Sequence, residues 1–158
     1  MSVWSHLTGV VRVDGMPGYG NKFYTKEKLA EFIGEPWTFY KLLDHYKNYR
    51  DSGAPLDKYE YPLETCKLPY GSEGSIEYNI HIYREESGFP WATVTFWGDL
   101  RDYDDITPLK EWAQNLLNAL ENNNYWIRQF SFDISGGTNN SYISINSTNF
   151  DIKNEQSL

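Results

Sequence analysis

Residues 3–14 alternate with a period of two: Val3, Leu7, Val11 and Val13 share one parity, while Trp4, His6, Thr8 and Arg12 share the other. That pattern predicts a half-buried strand, closed by Asp14-Gly15 and the Pro17-Gly18 turn. Residues 26–33 then place Leu29, Phe32 and Ile33 at i, i+3 and i+4, with Thr25 as cap and Gly34 as stop, which predicts a short helix. Residues 75–85 alternate again, with Ile76, Tyr78, Ile80 and Ile82 opposed to Glu77, Asn79, His81 and Tyr83. Across Ser87-Gly88-Phe89-Pro90, residues 91–98 set Ala92, Val94 and Phe96 against Trp91, Thr93, Thr95 and Trp97, completing a hairpin. The clearest helix follows: Thr107 as N-cap, Pro108 at the first helical position, and Leu109, Trp112, Ala113, Leu116, Leu117 and Leu120 on one face. Residues 125–135 and 141–146 predict two more strands around the turn Gly136-Gly137-Thr138-Asn139-Asn140.

The order is strand, helix, insertion, strand, strand, helix, strand, strand. Without the insertion (residues 35–74) and the last hairpin strand, it is β-α-β-β-α-β, the ferredoxin-like split pattern. The expected fold is an α+β two-layer sandwich: one antiparallel sheet with two helices on one face and an extra C-terminal hairpin strand. Within the insertion, residues 39–50 carry a helical stripe of Leu42, Leu43 and Tyr46, and the Pro-rich remainder predicts an ordered, Tyr-rich loop. Residues 1–158 form a single domain, with the polar tail 147–158 prone to fray.

Composition narrows the function classes. The chain has 158 residues, with 14 Lys+Arg against 22 Asp+Glu and a net charge of −8. An acidic surface disfavours a binder of long nucleic acid, which needs cations to release counterions from phosphates. A 17% aromatic content is too high for a disordered chain. The lone Cys66 excludes an internal disulfide and a cysteine-based zinc site. No apolar run suits a signal peptide or a membrane span, so a soluble cytoplasmic domain is expected. Nothing in the sequence calls for a cofactor or a metal.

If the apolar parities turn towards the helices, the other parities form an open sheet face: Trp4, His6, Thr8 and Arg12; Asn79, His81 and Tyr83; Trp91, Thr95 and Trp97; Ile127 and Gln129. Such an aromatic face is too apolar to stay bare. Three readings fit it: cover by the insertion or the tail, an interface with a second copy or a partner protein, or a base-stacking platform for a nucleotide or single strand. The expected state is a homo-oligomer.

Several motifs bear on chemistry. The loop Tyr70-Gly71-Ser72-Glu73-Gly74-Ser75 is either an anion-binding nest of backbone amides or a tight turn into the next strand; it lacks the Lys and the following helix of a P-loop. His6-Leu7-Thr8 and His81-Ile82-Tyr83 each set a His and a hydroxyl on one strand face. This resembles the paired His-x-Thr/Ser motifs of the two-histidine phosphoesterases, in which two histidines act as general acid and base; Tyr83 departs from that pattern. Asp99, Asp102, Asp104 and Asp105 suit either a hard cation or the positive end of the following helix. Arg128 falls on the core parity between Trp126 and Phe130, so it requires a carboxylate partner or a place at a cavity.

The stretch Trp4-Ser5-His6-Leu7-Thr8-Gly9-Val10-Val11-Arg12-Val13-Asp14 and the Pro69–Ser75 loop resemble segments of small, uncharacterised bacteriophage proteins. The resemblance implies a non-catalytic binding protein that counters host antiviral defence, by holding a nucleotide-like signal or occluding a host protein. Its site would draw on Trp4, His6, Arg12, Tyr70, Gly71, Ser72, Gly74, His81, Tyr83, Trp91 and Trp97. The alternatives are a phosphoesterase using His6, Thr8, His81 and Tyr83 on cyclic nucleotides, and an acidic DNA mimic.

Overall fold

A computed structural model describes residues 2–14, 26–36, 39–60, 68–83, 91–123 and 125–148. The elements run β1 (Trp4–Asp14), α1 (Lys26–Ile33), α2 (Phe39–Asp51), a short 3-10 turn (Leu56–Lys58), β2 (Glu77–Tyr83), β3 (Trp91–Arg101), α3 (Thr107–Asn122), β4 (Trp126–Gly136) and β5 (Ser141–Ser147). The five strands form one sheet in the order β2-β3-β1-β4-β5, and every neighbouring pair is antiparallel. The architecture is α+β, a five-stranded antiparallel sheet with three helices.

The core is built by the parities read from the sequence. Leu7, Val11 and Val13 of β1, Ile80 and Ile82 of β2, Ala92, Val94 and Phe96 of β3 and Phe130, Phe132 and Ile134 of β4 are all buried. Leu29 and Ile33 of α1 and Leu116 and Leu120 of α3 line one apolar crevice with Val11 and Phe96, so both helices cover the same sheet face. Phe132 is completely buried at the centre, 4.9 Å from Phe130, 5.2 Å from Phe96 and 5.7 Å edge-on from Trp112, measured between rings. Gly34 closes α1: its N–H donates to the Ala30 carbonyl (2.8 Å) at a φ of 102°, which glycine adopts without steric cost. Tyr78 of β2 ties that end to the sheet by donating its hydroxyl to the Gly34 carbonyl (2.7 Å).

Four sequence expectations need correction. The residue expected to cap α3, Thr107, is its first helical residue; Ile106 is the N-cap and makes no side-chain cap bond, while Asp105 just before it accepts the Thr107 N–H (2.9 Å) and hydroxyl (2.8 Å). Those two bonds hold the Asp105 carboxyl below its ordinary value. Asp99 belongs to β3, which runs on to Arg101, and so is not among the carboxylates before the helix.

The other two corrections share one cause. Between Arg12↔Gln129 and Val13↔Ile127 the register slips by one residue, leaving Arg128 as the extra member of a β-bulge. The slip inverts the parity of the start of β4: Ile127, expected on the open face, is buried, and Arg128, expected in the core, is exposed. Arg128 does find a carboxylate, donating Nε–H to Asp14 at 2.6 Å. The expected cap Thr25 and most of the tail lie outside the described residues.

Candidate functional site

The face turned away from α1 and α3 is aromatic. Trp4, Tyr83, Trp91, Trp97 and Tyr142 all project from it, and each is between 38% and 65% exposed. Strand register resolves this face into rows of side chains running across the sheet. Inward from the Arg101–Trp4 pair, the rows are Asp99–His6–Ser135–Tyr142, then Glu77–Trp97–Thr8–Asp133–Ser144, then Asn79–Thr95–Val10–Ser131–Asn146, then His81–Thr93–Arg12–Gln129, and last Tyr83–Trp91–Asp14–Trp126.

The first two rows are acidic, and each of their carboxylates has a neighbour. Asp99 meets His6 Nδ1 at 2.5 Å, Glu77 accepts Trp97 Nε1–H at 3.2 Å, and Asp133 accepts the Tyr142 hydroxyl at 2.7 Å. The last of these holds the phenol of Tyr142 above its ordinary value, chiefly through the hydrogen bond and also through burial and the Asp133 charge. The middle row is small and neutral. The fourth row carries Arg12 and His81, neither of which has a hydrogen bond or ion pair among the described residues. Beside it, the Tyr83 and Trp91 rings lie 5.0 Å apart.

His6 and His81 share this face but not a site. His6 stands opposite Asp99 and His81 opposite Thr93, six residues apart along β3. At the strand rise that is about 20 Å, with two inter-strand spacings to cross as well. One phosphodiester cannot touch both, so the paired-histidine geometry of a phosphoesterase is not assembled. Thr8 and Tyr83 are separated in the same way, because Thr8 faces Trp97 and Tyr83 faces Trp91.

Register does bring together a row that the sequence conceals: Asp99, His6 and Ser135 sit side by side on β3, β1 and β4. Asp99 orients the His6 ring, but among the described residues no hydrogen bond joins His6 to Ser135. The His6 and Asp99 side chains are 53% and 70% exposed on the open sheet face. At that exposure the His6 and Asp99 side chains stand in water, whereas acyl-transfer sites depend on excluding it. Among the described residues, no group of three or more His, Cys, Asp or Glu is placed to hold a metal ion, and no helix is long and apolar enough to cross a membrane.

The glycine loop lies beyond the acidic end and is tied to β3. Gly71 N–H donates to the Gly74 carbonyl (2.9 Å), Ser72 N–H to the Arg101 carbonyl (3.2 Å) and Arg101 N–H to the Glu73 carbonyl (3.0 Å). The Ser72 hydroxyl bonds Asp102, and the Arg101 guanidinium pairs with Glu73. Two of the amides that an anion nest would offer are therefore spent on the backbone. Tyr70 forms an isolated bridge with Ser75, which closes the loop as a tight turn. A Cβ on Gly74, whose φ is +77°, would fall on the Asp99 carbonyl, so only glycine allows this approach.

The sequence reading placed Trp4, His6, Thr8, Arg12, His81, Tyr83, Trp91 and Trp97 on one face; the structure puts them there and sorts them to two ends. The loop of Tyr70, Gly71, Ser72 and Gly74 bonds to Arg101, the partner of Trp4, and so lies at the acidic end, away from His81, Tyr83 and Trp91. Tyr142 and Asp133 were missed, although the alternation of Tyr142, Ser144 and Asn146 with Ile143 and Ile145 carried the signal for Tyr142. Compared with known protein families, curated proteins and solved structures, the chain matches none.

Proposed function

We propose that this chain is a non-catalytic binding protein that works through the open face of its sheet. The observation carrying this reading is the exposure of five aromatic side chains on that one face, clustered at its two ends, since large exposed apolar side chains grouped together mark contact sites. The openness of the face to water and the separation of His6 from His81 favour binding over turnover. The resemblance of the β1 and glycine-loop segments to bacteriophage proteins supplies the context: a phage protein that counters host defence, holding a nucleotide-like signal or occluding a host protein. The strand order supports reading the fold as ferredoxin-like, with β2-β3-β1-β4 as two interleaved βαβ halves and β5 added at one edge.

Native mass spectrometry of the full chain, purified from bacteria with active nucleotide-based defence, tests this reading. The expected result is a retained ligand of a few hundred daltons or a bound host protein, lost when Trp97 and Trp91 are replaced by Ala. A bare monomer in every such host, with no change on replacing the face aromatics, overturns it.

A further inference from the structure

The two edges of the sheet end differently. At one edge, β2 has α1 packed against it, tied by the Tyr78 hydroxyl to the Gly34 carbonyl, and its core-facing Ile80 and Ile82 are buried. At the other edge is β5, while α3 packs on β4, the strand before it. Phe132 and Ile134 of β4 are fully buried, whereas their register partners on β5, Ile145 and Ile143, are only half-buried. The apolar floor therefore runs out from under the helices and ends at a strand with no neighbour on its outer side among the described residues.

Such an edge presents a row of backbone N–H and C=O groups to any strand that can pair with it, and proteins commonly blunt it with a charge, a proline or a bulge. The β5 sequence, Ser141-Tyr142-Ile143-Ser144-Ile145-Asn146-Ser147, has no charged residue and no proline, and its register with β4 is unbroken. Read outward from Ser144, it is the same in both directions except for the exchange of Tyr142 and Asn146.

We propose that β5 pairs with the β5 of a second copy of this chain, antiparallel about a two-fold axis at Ser144, so that two five-stranded sheets become one. The near-palindrome favours a second copy over a foreign strand, because β5 is its own complement at that register. Ser144 meets the partner's Ser144, Ile143 the partner's Ile145, Tyr142 the partner's Asn146 and Ser141 the partner's Ser147. The isoleucines of both copies then form one continuous strip on the helix side, covering what is half-exposed in the single chain. A slip of one residue would set Ile143 against Ser144 and turn the second copy's helices to the opposite face. On the other face every pair is neutral, so no like charges stand opposite one another. The nearest carboxylate, Asp133, is the neighbour of Ser144 on β4 and accepts the Tyr142 hydroxyl. It would lie three inter-strand spacings from its counterpart, about 14 Å, beyond the Debye length of about 8 Å at physiological salt. The pairing uses the edge of the sheet and is independent of what the open face binds.

Sedimentation equilibrium of the full chain tests the pairing, with a reversible monomer–dimer equilibrium expected. Ser144→Lys combined with Asn146→Lys sets like charges across the edge at two exposed positions, and should raise the dimer dissociation constant about ten-fold or more. The same change makes a net charge of −8 less negative, so longer-range repulsion would predict the opposite result. Asn79→Lys, on the other edge strand, should leave the dimer intact. Cross-linking reads the register and decides alone should the Lys variant misfold. In a Cys66→Ser background, a short bis-maleimide should join Ser144→Cys chains to each other and Ser141→Cys chains to Ser147→Cys chains. It should not join Ser141→Cys chains to each other, because those thiols would sit about 20 Å apart. A monomer at every concentration, a dimer indifferent to the two lysines, or Ser141→Cys chains joined as efficiently as Ser144→Cys chains overturns the pairing.

Discussion

Gly9 sits on the core parity of β1, and a Cβ added there would land in the ring of Phe132. The ring has nowhere to go: Phe132 is fully buried and held by Phe96, Phe130 and Trp112. Gly9→Ala therefore overpacks the centre of the core, at a cost of about 1–3 kcal/mol. Replacing glycine also restricts the unfolded chain, which offsets about 0.4–1 kcal/mol of that loss. The net expectation is a destabilisation of about 1–2 kcal/mol, or a drop in Tm of about 2–8 °C for a chain of this size. Urea and thermal melts followed by circular dichroism read it directly. The diagnostic step is a double-mutant cycle with Phe132→Leu, which opens the space that the new methyl needs. Gly9→Ala should then cost at least about 0.5 kcal/mol less in the Phe132→Leu background than in the parent. If the two substitutions are additive, or Gly9→Ala is neutral, steric exclusion by Phe132 is not why glycine occupies this position.

Further expectations follow from the caps, turns and bulge. Asp105→Asn should lower stability near neutral pH. Because the folded pKa lies below the ordinary 3.8, the Asp105 contribution is fully present above that value and is lost as pH falls through the folded pKa; the gap between parent and variant melts should therefore close on acidification, and a constant gap would refute this. Gly74→Ala should cost about 2–3 kcal/mol or more in urea unfolding, since it combines a left-handed backbone with a clash against the Asp99 carbonyl. At the bulge, Asp14→Ala should destabilise by about 1–3 kcal/mol because Asp14 is nearly buried, while Arg128→Gln, at a side chain 62% exposed, should cost less than about 1 kcal/mol. Equal costs would mean the pair acts only as a surface contact.

Where side-chain period follows directly from local sequence, the fold was legible. The alternations of β1, β2 and β3 and the apolar stripe of α3 gave the element types, the core face and most of the open face. The bulge was not legible, because inserting one residue leaves no mark in the composition of residues 126–136; only the partner strand shows that Arg128 is the extra one. The α3 N-cap falls one residue before the expected Thr107, at Ile106, which is not a capping type; where the backbone turns, and not residue type alone, sets the helix start. The candidate site was legible as a face but not as two ends. Rows such as Asp99–His6–Ser135 depend on the register between strands more than ninety residues apart, and alternation within a single strand carries none of that information.

The central position of β1 also bears on how the chain reaches its fold. Both neighbours of β1 are distant in sequence: Trp4 pairs with Arg101, and Ser5 with Gly136. During synthesis the first strand is made without either partner, and both its edges stay unpaired until most of the chain has followed. Non-local pairing of this kind slows folding towards the millisecond-to-second range, because loop closure must precede the contacts that reward it. The β2–β3 hairpin and the β4–β5 hairpin close locally and can form first, with β1 then inserting between them. A chain shortened before β4 would leave one edge of β1 open, the kind of exposed strand that recruits other chains and aggregates.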